Sequence, residues 1–308
     1  MKKLRFLLSL TNDDNDYQVE QAASARAAAL KLGIEVEIVN ARNDGIAQSQ
    51  QLLNRIQSST NPRPDAILFE PAGSTALPQV ARAAVSAGIG WVVLNRDVDY
   101  IGDLRRQFNV PIFAITSDHE EIGRIQGRQL SALLPGGGLV LYIQGPSENS
   151  AAKQRLFGTM EAKLSTLQLR IVKAQWTETS AHKGVASWLR LPTSRDNPIA
   201  AVCAQDDSMA IGARKAFEEC FGKQRAEWDK IPFLGCDGLP KTGQDWVRGG
   251  LLAATVYIPP NVSQAMELMM KSIESGMKPP ERTFTPSKSI PELESLKQLS
   301  LKARASSR

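Results

Sequence analysis

The sequence of 308 residues predicts an α/β protein with two similar lobes, each built around a parallel sheet. Three observations support this: the length, the alternation of short apolar runs with helical segments, and the recurrence of that alternation in two sets. A single hydrophobic core stops growing at about 250–300 residues, so two compact units are expected. Alternating strands and helices are typical of parallel sheets with right-handed crossovers.

Ten short runs rich in aliphatic and β-branched residues predict the strands. Most lack strict alternation of polar and apolar residues, as expected of strands that helices cover on both faces. The first set comprises Leu4–Leu10, Glu35–Val39, Ala66–Phe69, Trp91–Leu94 and Ile112–Ile115. The second set comprises Leu139–Ile143, Leu169–Ala174, Ile199–Ala204, Pro232–Cys236 and Ala253–Tyr257.

The helices between these strands are marked by apolar spacing and by the residue at which each one stops. Glycine ends a helix by adopting the left-handed conformation, and proline cannot continue one. The predicted helices are Val19–Leu32 before Gly33, Leu77–Ala87 before Gly88, Glu120–Leu134 before Pro135 and Asn261–Ser275 before Gly276. Within the last of these, Met266, Met269 and Met270 are interpreted as core-filling side chains.

The break between the two sets of strands falls near Thr116–Asp118. We expect two Rossmann-like lobes joined by short hinge segments, with the chain crossing between them near residues 117, 258 and 288. The N-terminal lobe then comprises 1–117 and 259–288, and the C-terminal lobe 118–258 and 289–300, with a basic tail at 301–308.

The net charge of +5 does not predict a nucleic-acid partner. A nucleic-acid binder needs clustered basic residues on a folded surface to neutralise phosphates. Here the excess lies at the ends of the chain, at Lys2, Lys3, Arg5, Lys297, Lys302, Arg304 and Arg308. Without these residues, acidic side chains outnumber basic ones. No apolar run approaches the roughly 20 residues of a membrane span.

The first ten residues imitate a secretory signal without completing one. The charged Met1–Arg5 is followed by only five apolar-rich residues, Phe6–Leu10, whereas a signal needs an apolar segment of about 7–15 residues. We interpret Leu4–Leu10 as a buried first strand. The expectation is either a cytoplasmic protein or one whose signal is missing from this sequence.

The three cysteines predict neither a disulfide framework nor a metal site. Cys203, Cys220 and Cys236 are an odd number and form no CxxC pair. Cys203 and Cys236 lie in apolar runs, where a cysteine behaves as a small buried hydrophobe. A disulfide between these two is the alternative. No cofactor and no metal are expected.

Polar side chains follow the predicted strands, and open α/β sheets bind ligands at the carboxyl ends of their strands. The runs in question are Thr11–Gln18, Asn95–Asp97, Gln144-Gly145 leading to Arg155, Gln205–Asp207, Asp237-Gly238 and Ile258-Pro259. Such residues also cap helices, and we interpret Asp207, which precedes Ser208, as a cap.

These groups suit a sugar. A buried sugar hydroxyl both donates and accepts hydrogen bonds, so it needs carboxylates together with arginine or amide donors. Tyr17 or Trp176 could cover the apolar face of a sugar ring. The charges of the candidates cancel, which favours a neutral ligand over an anion: Arg96, Arg155, Asp206 and Asp237.

Five segments resemble, in the same order, those of the ribose-type periplasmic sugar-binding proteins. They are Leu94–Arg96, Gln144–Arg155, Ala200–Ala213, Gly235–Gly238 and Leu252–Val256, and the resemblance spans about residues 4–275. It implies the type I periplasmic-binding-protein fold and a non-catalytic monomer that closes a hinged inter-lobe cleft on a sugar. It further implies a cell-envelope or periplasmic location and the role of substrate-binding component of an ABC importer, or of a receptor for a membrane sensor.

The resemblance places ligand contacts on Asn15, Tyr17, Asn95, Arg96, Arg155, Asp206 and Asp237. Five positions depart from the family pattern. Gln18 and Thr179 stand where aromatic residues are usual, Asn95 replaces an aspartate, Asp206 an asparagine and Ile258 a glutamine. Because these changes rearrange the donors and acceptors, ribose itself is not implied.

A repressor and an enzyme are the two other classes of protein to which a chain of this pattern could belong. Repressor relatives carry a helix-turn-helix ahead of the lobes, and we do not expect one because the first strand begins at about Leu4. An enzyme acting on a small sugar or polyol remains the alternative, since paired acids such as Asp206 and Asp237 can hydrolyse glycosides. Against it, His119 and His182 are interpreted as surface or capping residues, and no GxSxG, HExxH or phosphate-loop motif is present.

Overall fold

The computed structural model describes residues 3–73, 76–194, 198–221 and 228–298. The chain divides into two compact units. Unit 1 comprises Met1–Ser117 and Pro260–Thr285, and unit 2 comprises Asp118–Pro259 and Pro286–Arg308. The predicted basic tail at 301–308 lies outside the described residues.

Strands and helices alternate along most of the chain, as predicted. The strands are β1 Arg5–Leu10, β2 Glu35–Asn40, β3 Ala66–Phe69, β4 Gly90–Leu94, β5 Ile112–Ser117, β6 Gly138–Gln144, β7 Leu167–Lys173, β8 Ile199–Ala204, β9 Phe233–Leu234, β10 Thr255–Tyr257, β11 Arg282–Thr285 and β12 Lys288–Ile290. The helices are α1 Asp16–Leu32, α2 Gly45–Ile56, α3 Pro78–Ser86, α4 Ile101–Gln107, α5 His119–Leu133, α6 Ser150–Ala162, α7 Glu178–Leu189, α8 Asp207–Phe221, α9 Gly243–Arg248 and α10 Val262–Ser275.

Unit 1 is built on a six-stranded parallel sheet in the order β11-β5-β4-β3-β1-β2. Successive residues of a strand point to opposite faces, and both faces are apolar. On one face, Leu7 and Trp91 pack with α2 and α3, and on the other Phe6 and Leu8 pack with α1 and α10. The cover on both faces explains why these strands read as continuous apolar runs.

The interpretation of the α10 methionines as core residues is confirmed. Met266 and Met269 are fully buried in the second of these clusters, and Met270 packs against it partly buried.

Unit 2 is built on a four-stranded parallel sheet in the order β7-β6-β8-β9, with a separate antiparallel pair of β10 and β12. Leu141 and Val202 face α7 and α8, whereas Tyr142 and Cys203 lie in the cluster on the opposite face. The prediction of an α/β fold with parallel sheets is therefore confirmed. The described helices include none that is long and apolar enough to cross a membrane.

The start of helix α1 and the length of strand β9 differ from the predicted ones. Helix α1 begins at Asp16, not Val19, because the Asn15 side chain accepts hydrogen bonds from the amides of Tyr17 and Gln18 and caps the helix there. Strand β9 is only two residues long, shorter than the predicted Pro232–Cys236. The chain leaves this sheet early, and Asp237 instead forms an isolated parallel bridge with Tyr257.

The boundary between the units also differs from the expected one near its C-terminal end. The returning segment of unit 1 is Pro260–Thr285 rather than 259–288. Strand β11 pairs with β5 of unit 1, whereas β12 pairs with β10 of unit 2. The chain therefore leaves unit 1 between β11 and β12, before the predicted residue 288.

The cysteines are free thiols, with Cys203 and Cys236 buried and Cys220 exposed. The interpretation of the first two as buried hydrophobes is confirmed, and the alternative disulfide is not formed. Burial raises the pKa of both the Cys203 and the Cys236 thiols above their ordinary value. Both side chains are therefore held in the neutral form at physiological pH.

Helices α5 and α6 of unit 2 pack backbone against backbone. A Cβ atom on Gly123 would lie 2.1 Å from the carbonyl oxygen of Arg155, and one on Gly158 would lie 2.0 Å from that of Glu120. Only glycine allows such a close approach. The contact fixes the turn of α6 that carries Arg155 beside the start of α5.

We expect Gly123→Ala to lower the free energy of unfolding by about 1–3 kcal/mol, because the added methyl group forces the two helices apart. Gly102→Ala in α4 is the matched control, since its Cβ would meet nothing nearer than a Glu281 carboxylate oxygen at 3.4 Å. Alanine favours a helix over glycine by up to about 1 kcal/mol, so this variant should be neutral or more stable. Urea denaturation measures both, and equal stabilities would contradict the close packing.

Candidate functional site

Each unit gathers polar and aromatic side chains at the carboxyl ends of its parallel strands, and all but Trp176 are buried. We call them the unit 1 cluster and the unit 2 cluster. The unit 1 cluster comprises Asn15, Tyr17, Gln18, Glu70, Asn95 and Arg96. The unit 2 cluster comprises His119, Arg155, Trp176, Gln205, Asp206 and Asp237. Neither holds a metal-binding group, because the described residues include no set of three His, Cys, Asp or Glu side chains that could bind an ion.

The unit 1 cluster begins with the turn between β1 and α1. The Asn15 Oδ1 accepts from the amide of Tyr17 at 2.9 Å and from that of Gln18 at 3.4 Å. This cap brings both side chains back over the end of the sheet, where all three residues are buried. The Tyr17 hydroxyl then donates to the Asn95 Oδ1 at 3.3 Å.

Asn95 is the first residue after β4 and has a left-handed backbone, with φ of 56°. Asparagine tolerates this conformation better than other non-glycine residues. Its Nδ2 donates to a Glu70 carboxylate oxygen at 3.1 Å, and its Oδ1 accepts from the Asn261 Nδ2 at 2.7 Å as well as from Tyr17. These partners fix the orientation of the Asn95 amide.

The side chain of Gln18, a predicted ligand position, forms hydrogen bonds with two neighbouring protein groups. Its Oε1 accepts from the amide of Thr11 at 3.1 Å, and its Nε2 donates to Glu70 at 2.9 Å. The side chain is only 4% exposed. Gln18 therefore ties the loop after β1 to the end of β3.

Glu70 was not among the predicted site residues, although it is the carboxylate at the centre of the unit 1 cluster. It lies 3.6 Å from the Arg96 guanidinium and is 4% exposed. Arg96 itself donates to the Asn95 carbonyl oxygen at 2.7 Å. The sequence could have identified Glu70, because it directly follows the predicted strand Ala66–Phe69 and so lies at the carboxyl end of a strand.

The unit 2 cluster is built around Arg155, which α6 carries into the protein interior. Its Nη1 donates to the Gln205 carbonyl oxygen and lies 3.9 Å from an Asp237 carboxylate oxygen. Its guanidinium stands over the Trp176 ring at 5.5 Å, a favourable cation–π distance. Burial lowers the pKa of Arg155, but neighbouring groups, Asp237 and Asp206 among them, outweigh it and raise the pKa above its ordinary value.

His119 was expected at the surface or as a cap, and this expectation is wrong. The residue is 4% exposed, and its Nδ1 accepts a hydrogen bond from the Arg155 Nε at 3.4 Å. The cap of α5 is Asp118, which accepts from the amide of Glu121. His182, in contrast, is partly exposed and lies 2.9 Å from Glu219.

The interpretation of Asp207 as the cap of α8 is also wrong. Asp206 provides the cap, since its Oδ1 accepts from the amide of Met209 at 2.5 Å. Asp207 turns the other way and accepts from the amide of Gly238 and from the Thr255 hydroxyl. Asp206 therefore remains beside Arg155, whereas Asp207 is a structural residue.

Asp237 has a left-handed backbone with φ of 103°. Its amide donates to the Val256 carbonyl oxygen, and its carbonyl oxygen accepts from the amide of Ile258, both at 2.9 Å. These bonds to the β10 segment hold the residue in this conformation and leave its side chain facing Arg155.

Two predicted positions do not join these networks. Ile258 is 2% exposed, and its side chain is apolar, so it is linked to Asp237 only through its backbone. Thr179 is exposed in the first turn of α7, and within the described part of the chain its side chain makes no hydrogen bond.

Comparisons with known proteins identify relatives along nearly the whole chain. The model of the periplasmic binding protein domain family matches residues 6–277. The ribose import binding protein of Salmonella typhimurium is 27% identical over 256 residues, covering 83% of this chain and 79% of that protein. A putative rhizopine-binding protein of Rhizobium meliloti is 29% identical over 192 residues, covering 60% of this chain and 58% of that one. The crystal structure of a galactofuranose binding protein shares the fold, with a TM-score of 0.80 and 24% identity over 96% of this chain and 99% of that chain.

Proposed function

We propose, from the premise that this chain belongs to the periplasmic binding protein family, that it binds a small neutral sugar without changing it chemically. The supporting observation is that the unit 1 cluster and the unit 2 cluster contain the same combination of charged groups. Each cluster combines a buried arginine with at least one buried carboxylate: Arg96 with Glu70 in unit 1, and Arg155 with Asp237 in unit 2.

Such a combination matches the chemistry of a sugar hydroxyl, which needs both a donor and an acceptor when it leaves water. In unit 2, the Arg155 Nη1 and Nε are engaged with protein groups, and no hydrogen bond within the described residues uses its Nη2. We propose that Nη2 donates to the sugar and that Asp206 and Asp237 accept from its hydroxyls. In unit 1, Arg96 and Asn95 take the corresponding roles, and Tyr17 packs on the ring.

One sugar molecule is proposed to bind groups of both units at once. A ligand favours a closed arrangement only through contacts that the closed state adds. Hinge closure is the conformational change by which proteins with two domains commonly enclose a ligand.

The related proteins named above are binding proteins, one of them for ribose import. We propose that the sugar-loaded protein acts as a monomer in the periplasm and delivers its ligand to an ABC importer. A pull-down of the membrane partner, with and without sugar, distinguishes an importer from a membrane sensor.

We expect one compound among pentoses, hexoses, polyols and cyclitols to raise the melting temperature by several degrees. A ligand at a hundred times its dissociation constant adds about 2.7 kcal/mol to the free energy of unfolding. Thermal shift finds the compound, calorimetry gives its affinity and stoichiometry, and NMR of the recovered compound tests for turnover. Recovery of a converted sugar would favour the enzyme alternative, and a library without any stabilising sugar would overturn the proposal.

A further inference from the structure

Glu70 occupies a rigidly fixed position at the carboxyl end of β3. Its amide donates to the Ser9 carbonyl oxygen at 2.9 Å, and its own carbonyl oxygen accepts from the Gln48 Nε2 at 2.8 Å. These bonds hold the backbone on both sides of the residue. The side chain therefore enters the unit 1 cluster from a fixed point.

The Glu70 carboxylate has three partners there. One oxygen accepts from Gln18 at 2.9 Å and from Asn95 at 3.1 Å, and the other lies 3.6 Å from the Arg96 Nη1. Asp97, the next residue after Arg96, does not share this role, because it is exposed and pairs with Arg282. Glu70 thus places a buried carboxylate next to the buried Arg96 guanidinium.

We propose that Glu70 is a specificity-determining residue that makes unit 1 select neutral sugars over anionic ones. This role of Glu70 rests on the proposed function, because it explains why the proposed ligand is a neutral sugar. Guanidinium groups bind carboxylate or phosphate groups strongly, through paired charged hydrogen bonds. With Glu70 in place, an anion that approaches Arg96 also meets a buried negative charge, and the repulsion is strong because buried charges are poorly screened.

The decisive variant is Glu70→Gln, which keeps the size of the side chain and removes its charge. Calorimetry on the full chain measures the dissociation constants of matched probes: D-galactose with D-galacturonate, and D-ribose with D-ribose 5-phosphate, besides any sugar found in the screen. We expect the ratio of the anionic to the neutral dissociation constant to fall at least tenfold in the variant. An unchanged ratio would overturn the inference.

Two further variants separate selectivity from damage to the fold. Glu267→Gln removes the same charge from α10 of unit 1, where Glu267 pairs with Lys31 at an exposed position, and should leave the ratio unchanged. Asn95→Asp adds a second carboxylate next to Glu70 and should raise the ratio. This second variant tests the inference even if Glu70→Gln does not fold, since a ratio equal to that of the wild type would count against it.

The wild-type measurements distinguish the two levels of the proposal. A wild-type protein that binds a neutral sugar but prefers the matched anion overturns the role of Glu70 and leaves sugar binding intact. A wild-type protein that binds no sugar overturns the proposed function and this inference together.

Discussion

Replacing Arg155 with alanine should weaken sugar binding at least tenfold. A hydrogen bond from a charged group contributes about 1.5–3 kcal/mol, which corresponds to roughly tenfold to a hundredfold in affinity. The substitution also removes contacts within the protein, because Arg155 lies 3.9 Å from Asp237 and donates a hydrogen bond to the Gln205 carbonyl oxygen. Without the guanidinium, Asp237 loses this neighbouring positive charge, and the Trp176 ring loses its cation.

The measurement is calorimetric titration with the sugar that stabilises the wild-type protein. Lys153→Ala is the matched control, since Lys153 lies on the same helix and its replacement removes the same charge from an exposed position. Arg155→Lys should fall between the two, because lysine keeps the charge but not the planar fork of donors. Equal affinities in the Arg155→Ala and Lys153→Ala proteins would remove Arg155 from the proposed site.

Much of the fold could be predicted because its signals are local. The strands are short apolar runs, and helices α1 and α10 end at Gly33 and Gly276, which have the left-handed φ values of 67° and 72° expected of such caps. The start of α1 was harder, because the polar run Thr11–Gln18 offers several capping side chains and only the folded turn selects Asn15. Strands β11 and β12 were missed because they are short and partly polar, and pairing with distant strands defines them.

The candidate site shows the same division between local and distant signals. The rule that ligands bind at the carboxyl ends of parallel strands brought Arg155, Asp206 and Asp237 together from distant parts of the sequence. Applied to β3 and β5 as well, it would also have identified Glu70 and His119, which follow those strands. The rule could not predict that the Gln18 side chain forms hydrogen bonds with Thr11 and Glu70, because these bonds depend on how the side chains pack in the folded protein. Ligand contact by the named residues stays a prediction.

Asp207→Ala should lower the free energy of unfolding by about 3–5 kcal/mol, because it leaves two buried donors unpaired. The Oδ2 accepts from the amide of Gly238 at 2.7 Å, and the Oδ1 accepts from the Thr255 hydroxyl at 2.6 Å. The residue is 1% exposed and closely enclosed, since a Cβ on Gly235 or Gly243 would lie 2.0 Å from one of its carboxylate oxygens. One carboxylate thus joins the start of α8 to the loop after β9 and to β10.

The control is Asp245→Ala in α9 of the same unit, whose carboxylate is exposed and pairs with Arg248. Exposed pairs of this kind contribute about 0–1 kcal/mol. Urea denaturation followed by circular dichroism compares the two variants, and equal losses of stability would contradict the structural role of Asp207.

Asp207→Asn should have a stability between those of the wild-type and Asp207→Ala proteins, yet it should also weaken sugar binding. Asp207 holds the amide of Gly238, and Gly238 directly follows Asp237, whose backbone is strained. The asparagine of that variant has one acceptor oxygen for two groups that now donate. Either the Thr255 hydroxyl turns its hydrogen elsewhere and accepts from the new NH₂ group, or the Gly238 amide loses its acceptor, and in the second case the Asp237 carboxylate loses its fixed position.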